Sequence, residues 1–200
     1  MTLQMHIAPR RDFSSSDLWE MHRLRAKVFK DRLGWDVPVF AGMEIDGYDA
    51  LEPLYMLIRD LSPADGPGAL RGCWRLLPTR GCYMLKDSFA QLLHGQQAPQ
   101  DERIWELSRF AIETRGQQGG FGFSSITIAS IGHIIGHGYR AGIEQYVTVT
   151  TIAIERLLRR SGVVTRRFGA PLQIGVEQAV ALYIDIGATH AVMVDARLAS

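Results

Sequence analysis

The sequence predicts an α/β fold, a mixed sheet with helices packed on it. Short β-branched or apolar runs alternate along the chain with segments of helical periodicity. Between Ile104 and Gly162 the order is strand, glycine-rich turn, helix, strand, helix, which is the order of a right-handed crossover onto one mixed sheet. At 200 residues, 46% hydrophobic and 22% charged, the chain is long enough to bury most of its unfolded surface. A single domain over residues 1–200 is expected.

A first helix is expected over Ser15–Lys30, where Leu18, Met21, Leu24 and Val28 recur at helical spacing behind serines suited to an N-cap, with Gly34 ending the segment. Leu54–Arg59 and Leu70–Leu77 read as strands. The turn formers between them, Ser62-Pro63-Ala64-Asp65-Gly66-Pro67-Gly68, suit a loop joining antiparallel neighbours. Tyr83–Leu93 reads as a short helix, Ile104–Ile112 as a strand and Ser124–Arg140 as a helix. Tyr146–Thr150 is a β-branched strand, Ile152–Arg160 a helix stopped by Ser161-Gly162, and Ala191–Val194 a final strand.

Composition excludes several functions. A net charge of +1 offers no concentrated basic surface for nucleic acid. The first ten residues lack the basic start and apolar core of a secretory signal, and no apolar run approaches bilayer length, so a cytosolic protein without membrane contact is expected. Cys73 and Cys82 form no Cys-x-x-Cys pair and read as reduced packing residues. His133 and His137 stand four apart on a helix with no glutamate between them, which lacks the zinc-protease pattern, and no metal is expected. There is no Gly-x-Ser-x-Gly elbow, which removes Ser108 as a hydrolase nucleophile.

Two groups of polar residues carry chemistry. Arg25 and Phe29 share a helical face, Trp35 follows, Asp46-Gly47-Tyr48-Asp49 sets two carboxylates in a turn, and Arg75 lies on a predicted strand. Such a set suits a zwitterionic amino acid that also carries a cation: arginine for its carboxylate, aspartates for its ammonium, aromatic faces for a sulfonium or an adenine. A surface salt-bridge network is the alternative. The second group is Trp105-Glu106-Leu107-Ser108-Arg109-Phe110-Ala111, then Gln117-Gln118-Gly119-Gly120-Phe121-Gly122 and an apolar helix. Glycines ahead of a helix present backbone N–H groups to an anion, or form a tight structural turn. The spacing Gln-x-x-Gly-x-Gly resembles the pantetheine-pyrophosphate turn of the GNAT acyltransferases.

Arg-Ala-Lys-Val-Phe-Lys-Asp-Arg-Leu-Gly-Trp from Arg25, Met43-Glu44-Ile45-Asp46-Gly47-Tyr48-Asp49-Ala50, Cys73-Trp74-Arg75 and Trp105-Glu106-Leu107-Ser108-Arg109-Phe110 together resemble the LuxI-type acyl-homoserine-lactone synthases over nearly the whole chain. The family's arginine, phenylalanine, tryptophan, two aspartates, arginine, glutamate and arginine all find counterparts in order. The resemblance implies a GNAT-like three-layer α-β-α fold with a central mixed twisted sheet and an acyl-binding cleft. It also implies production of a quorum-sensing signal from S-adenosylmethionine, as substrate rather than bound cofactor, and an acyl chain on acyl carrier protein.

On that resemblance Glu106, Arg109 and Arg75 are the expected catalytic residues, with Glu106 acting as a base through water or holding the amine in line. Arg25, Phe29, Trp35, Asp46, Asp49 and Phe110 would hold S-adenosylmethionine. Leu107, Ser108, Ile128, Val147, Val149, Thr150 and Leu157 would line the acyl pocket, octanoyl being the first expectation and a longer 3-oxo chain the second. Arg156, Arg159 and Arg160, with Arg166 and Arg167 nearby, would dock the acidic carrier protein. In a regular strand Glu106 and Arg109 point to opposite faces, so a bulge between them or different roles on the two sides is required. Acyl-CoA as donor is the enzymatic alternative, and a sensor that binds acyl chain or carrier protein without turnover is the non-enzymatic one.

Overall fold

The computed structural model describes residues 2–62, 68–113 and 125–198. These fall into two compact units, one running to Leu76 and resuming at Arg109, the other holding Leu77–Ser108 and the C-terminal part of the chain.

The first unit begins with strand β1 (Leu3–Pro9) and helix α1 (Ser15–Ala26). Ser14 caps α1 through a reciprocal box: its Oγ accepts from Asp17 N at 3.1 Å, and Asp17 Oδ2 accepts from Ser14 N at 3.1 Å. The helix was expected to run to Lys30; instead the α turns stop at Ala26 and a wider π-type turn carries Lys27–Arg32. Gly34, at φ 66°, then closes the segment, as glycine does best in the left-handed region. A short hairpin of β2 (Val39–Phe40) and β3 (Met43–Glu44) follows, then β4 (Leu54–Asp60) and β5 (Ala69–Pro78). β1 and β5 both pair antiparallel with β4. Met21, Leu24, Val28 and Phe29 pack against Tyr55, Leu57, Cys73 and Ala111, so the periodic face read from the sequence is the buried one. The missed strand β1 had a legible signal, since Leu3, Met5 and Ile7 alternate with Gln4 and His6.

In the second unit Tyr83–Leu93 is not one helix. It breaks into α2 (Met84–Asp87) and a 3-10 turn over Ala90–Leu93, and His94 at φ 52° ends it. Strand β6 (Ile104–Ile112), which passes from this unit into the first, has the bounds expected. Helix α3 (Ser125–Arg140) leads to β7 (Gln145–Thr151), which lies parallel to β6 with Ile104–Leu107 opposite Gln145–Thr148. Gly138 permits the close seat of α3: a Cβ there would stand 2.7 Å from the Tyr146 hydroxyl. Helix α4 (Ile152–Arg160) again matches its expected bounds, capped by Thr151 Oγ1, which accepts from Ile154 N at 3.3 Å.

Strands β8 (Thr165–Arg167), β9 (Leu172–Ile174) and β10 (Glu177–Asp185) and helix α5 (Ile186–Leu198) complete the chain, β10 pairing antiparallel with β7, β8 and β9. The expected final strand over Ala191–Val194 is therefore a correction: those residues lie inside α5, and the last strand is β10. A four-residue apolar run does not separate strand from helix. The deciding signal is Asp185, whose Oδ1 accepts from Ala188 N at 2.8 Å as an N-cap would. The strand order β1-β4-β5-β6-β7-β10-β8 makes the fold α/β with a mixed sheet. The Gln117–Gly122 turn and most of the loop after Ser62 lie outside the described residues.

Candidate functional site

Within the first unit, three guanidinium groups meet three carboxylates: Arg25, Arg75 and Arg109 against Glu44, Asp46 and Asp49. Arg25 projects from α1 and divides its donors, Nε to Glu44 Oε2 at 2.5 Å and Nη1 and Nη2 to Asp49 at 2.8 and 3.0 Å. Arg75, from β5, donates Nη1 to Asp46 Oδ1 at 2.5 Å and to Asp49 Oδ1 at 2.9 Å. Arg109 donates Nε to Glu44 Oε1 at 3.0 Å and holds Nη2 2.7 Å from Asp46 Oδ2. The Asp46-Gly47-Tyr48-Asp49 turn is locally encoded: Asp46 Oδ1 accepts from Tyr48 N and Asp49 Oδ2 from Asp46 N, both at 2.9 Å. Tyr55 adds a hydroxyl donated to Asp49 Oδ1 at 2.6 Å.

The network has an inside and an edge. The side chains of Arg25, Arg75 and Glu44 are wholly inaccessible, whereas Arg109 and Asp46 each retain 10% exposure. Asp46 Oδ2 is buried and accepts no hydrogen bond among the described residues, despite its ion pair with Arg109. Phe29 and Trp35 stack at 5.3 Å, 8° from coplanar, and the Arg109 guanidinium lies 5.6 Å from the Phe29 ring centre. The Trp35 indole N–H is likewise buried without an acceptor among the described residues. Phe110 stacks on Trp74 at 4.2 Å.

Burial alone would push Arg25 toward losing its proton, but Asp49 and Glu44 outweigh it and hold the guanidinium charged. The same balance keeps Asp49 ionised: burial raises its pKa, and Arg25, Arg75 and the Tyr55 hydroxyl bring it well below the usual carboxylate range. Arg109 is lowered, because burial and the neighbouring cations Arg25 and Arg75 exceed what Glu44 and Asp46 return.

Arg109 also resolves the strand geometry. Its φ of 54° interrupts the pleat of β6, so Glu106 and Arg109 need not obey strict alternation. Glu106 lies in the second unit and joins none of the ion pairs above. Its carboxylate instead accepts Met84 N at 3.0 Å and Leu85 N at 2.7 Å, at the start of α2. The expected acyl residues divide. In the β6–β7–β10 register, Val147 and Val149 share a face with Glu106, and Leu107 and Thr150 share the opposite one with Tyr146, against which α3 packs. Leu107, Val147 and Leu157 are buried, Ser108, Val149 and Thr150 half-buried, and Ile128 is exposed. Arg156, Arg159 and Arg160 are exposed on α4. The buried Glu155 beside them takes Arg167 in a two-pronged pair and Arg159 at 3.1 Å.

The autoinducer synthase family matches residues 10–193. The acyl-homoserine-lactone synthase of Pseudomonas aeruginosa is 49% identical over 184 residues, 92% of this chain and 90% of its own. The chain belongs to the autoinducer synthase family. Among solved structures, the AHL synthase LasI superposes on the synthase with a TM-score of 0.82 at 49% identity, covering 92% of this chain and 90% of its own. TofI, in a ternary complex with an inhibitor and MTA, gives 0.77 at 34% identity, covering 96% of each chain. The synthase is thus an acyltransferase-type enzyme on a GNAT-like fold. No helix among its described residues is long and apolar enough to cross a membrane, and no group of three or more His, Cys, Asp or Glu there is arranged to hold a metal ion.

Sequence reasoning missed three members of the network. Glu44 stood inside a quoted run without a role, and Tyr55 and His22 were unremarked. His22 is buried, with Nδ1 2.9 Å from the Glu44 carbonyl. Burial first, then Arg25, lower its pKa from the ordinary 6.5, only partly offset by Asp49 and Glu44. An unfolded chain takes up this proton near 6.5 while the native synthase resists it, so stability is full above 6.5 and is lost as the pH falls from there toward the lower folded value. Urea unfolding at about pH 7.5 and 5.5 is expected to show a larger loss for the wild type than for His22→Gln; equal losses would remove His22 as the source.

Proposed function

We propose that the synthase acylates the α-amine of S-adenosylmethionine from an acyl carrier protein and then closes the homoserine lactone. In the first step the deprotonated amine attacks the thioester carbonyl, the amide C–N bond forms, the C–S bond breaks, and the carrier thiol leaves with a proton. In the second the methionyl carboxylate attacks its own γ-carbon, and the Cγ–S bond breaks to release methylthioadenosine, neutralising carboxylate and sulfonium together. The observation that carries this reading is the edge of the ion-pair network: a buried Asp46 oxygen that accepts no hydrogen bond among the described residues, beside Arg109 and the stacked Phe29 and Trp35. That edge offers an acceptor for an ammonium, a cation for a carboxylate and aromatic walls for a sulfonium or adenine. The MTA bound by TofI supports the leaving product.

In this reading Arg109 and Asp46 touch the substrate, Phe29, Trp35 and Phe110 wall it, and Arg25, Arg75 and Asp49 hold the edge in place. Glu106, with two backbone N–H groups already on its carboxylate, orients the reacting groups more readily than it abstracts a proton. The left-handed backbone at Arg109 supports an opening in β6 near Phe110 and Ala111 through which backbone N–H groups would meet the thioester oxyanion. Octanoyl remains the first acyl chain to test, and a cytosolic site of action suits both substrates. Purified protein with S-adenosylmethionine and octanoyl-acyl carrier protein, or octanoyl-CoA in parallel, is expected to yield octanoyl-homoserine lactone and methylthioadenosine by mass spectrometry. Binding without product from any acyl donor would favour the sensor.

The exposed arginines of α4 support carrier docking. With acyl carrier protein as donor, kcat/KM is expected to fall as salt rises, and Arg160→Glu to remove most of that dependence, while the acyl-CoA reaction changes little. A salt slope unaltered by Arg160→Glu would move docking elsewhere.

A further inference from the structure

Glu44 occupies a place in the network unlike that of the two aspartates. Its carboxylate has no exposure at all and lies between two guanidinium groups from distant parts of the chain, Arg25 Nε at 2.5 Å on one oxygen and Arg109 Nε at 3.0 Å on the other. It is anchored from behind as well, because its own carbonyl meets His22 Nδ1 at 2.9 Å. Asp46 and Asp49 stabilise their shared turn, whereas Glu44 gives one carboxylate oxygen to Arg25 and the other to Arg109.

Arg109 is the residue that needs this. With its backbone at φ 54°, the pleat of β6 no longer sets the direction of its side chain. A long guanidinium side chain so released has many rotamers to lose, and a buried charge-assisted bond to Nε selects among them. Holding Arg109 by Nε leaves its Nη2 2.7 Å from Asp46 Oδ2, at the part-exposed edge of the network.

We propose that Glu44 is a positioning residue for Arg109: it fixes the guanidinium by Nε so that the outer nitrogens meet the substrate, and it touches no substrate itself. The inference rests on the synthase reading given above. Because a misplacement of about 1 Å costs on the order of 10²-fold in rate, Glu44→Gln is expected to lower kcat/KM for S-adenosylmethionine by about that factor, with Glu44→Asp recovering part of the loss.

The decisive measurement is a double-mutant cycle with Arg109→Ala. If Glu44 acts through Arg109, Glu44→Gln costs less than about 3-fold once Arg109 is gone; full additivity of the two losses overturns the proposal. A second readout does not depend on turnover. The Arg109 Nε–H resonance, assigned by its disappearance in Arg109→Lys, is expected to be exchange-protected and shifted in the wild type and to lose that protection in Glu44→Gln. An unchanged resonance overturns the positioning role even if activity falls. Should the wild type make no lactone from any donor, the synthase reading fails while this resonance still decides what Glu44 does.

Discussion

Arg25→Ala is expected to lower the unfolding free energy by about 3–5 kcal/mol, because it leaves buried charge without its partner. Glu44 and Asp49, with side-chain exposures of 0% and 4%, would lose the cation that spans them. Arg75 and Arg109 remain: Glu44 Oε1 would keep its bond from Arg109 Nε, and Asp49 would keep Arg75 and the Tyr55 hydroxyl. Lysine is not an adequate substitute: one ammonium does not reproduce the fork that engages Glu44 through Nε and Asp49 through both terminal nitrogens. Because Arg25 is completely buried, the variant is expected to be destabilised and not merely inactive. Equilibrium denaturant unfolding checks it, and a loss under about 1 kcal/mol would mean that the two carboxylates find other partners or take up protons at little cost.

Asp46→Asn is expected to separate function from folding. Asparagine caps as well as aspartate, so the amide oxygen still accepts from Tyr48 N and the turn survives. The charge facing Arg75 and Arg109 is lost at the part-exposed edge, where the substrate ammonium is proposed to bind. A fall of about 10²-fold or more in kcat/KM for S-adenosylmethionine is expected, with an unfolding free energy within about 2 kcal/mol of wild type. Steady-state kinetics beside denaturant unfolding distinguishes the outcomes. Activity near wild type would place the ammonium elsewhere, and collapse of the fold would make Asp46 a structural residue first.

Legibility in the sequence followed the range of the interactions. β6 and α4 were read to the residue because alternation, apolar spacing and a following Ser-Gly stop are local. Ala191–Val194 read as a strand because a four-residue apolar run, taken without the Asp185 cap ahead of it, does not show that it lies inside α5. The break after Asp87 and the π-type turn after Ala26 are backbone departures that periodicity does not record. At the site, Arg25, Asp46, Asp49, Arg75 and Arg109 were all named in advance. Their partner Glu44 carried no expected role, since it stands 19 residues from one arginine and 65 from the other.

By itself the sequence determined the alternation of elements, the buried face of α1, the capped Asp46 turn and the ordered polar positions that mark the family, because each depends on neighbours a few residues apart or on residue identity alone. The tertiary structure decided which charges face one another, which lie wholly buried and which reach the edge, and that the Glu106 carboxylate accepts from Met84 N and Leu85 N at the start of α2. Those outcomes depend on pairing between residues far apart in the chain. Within a buried network, a charge acquires its role from the partner that the fold sets beside it.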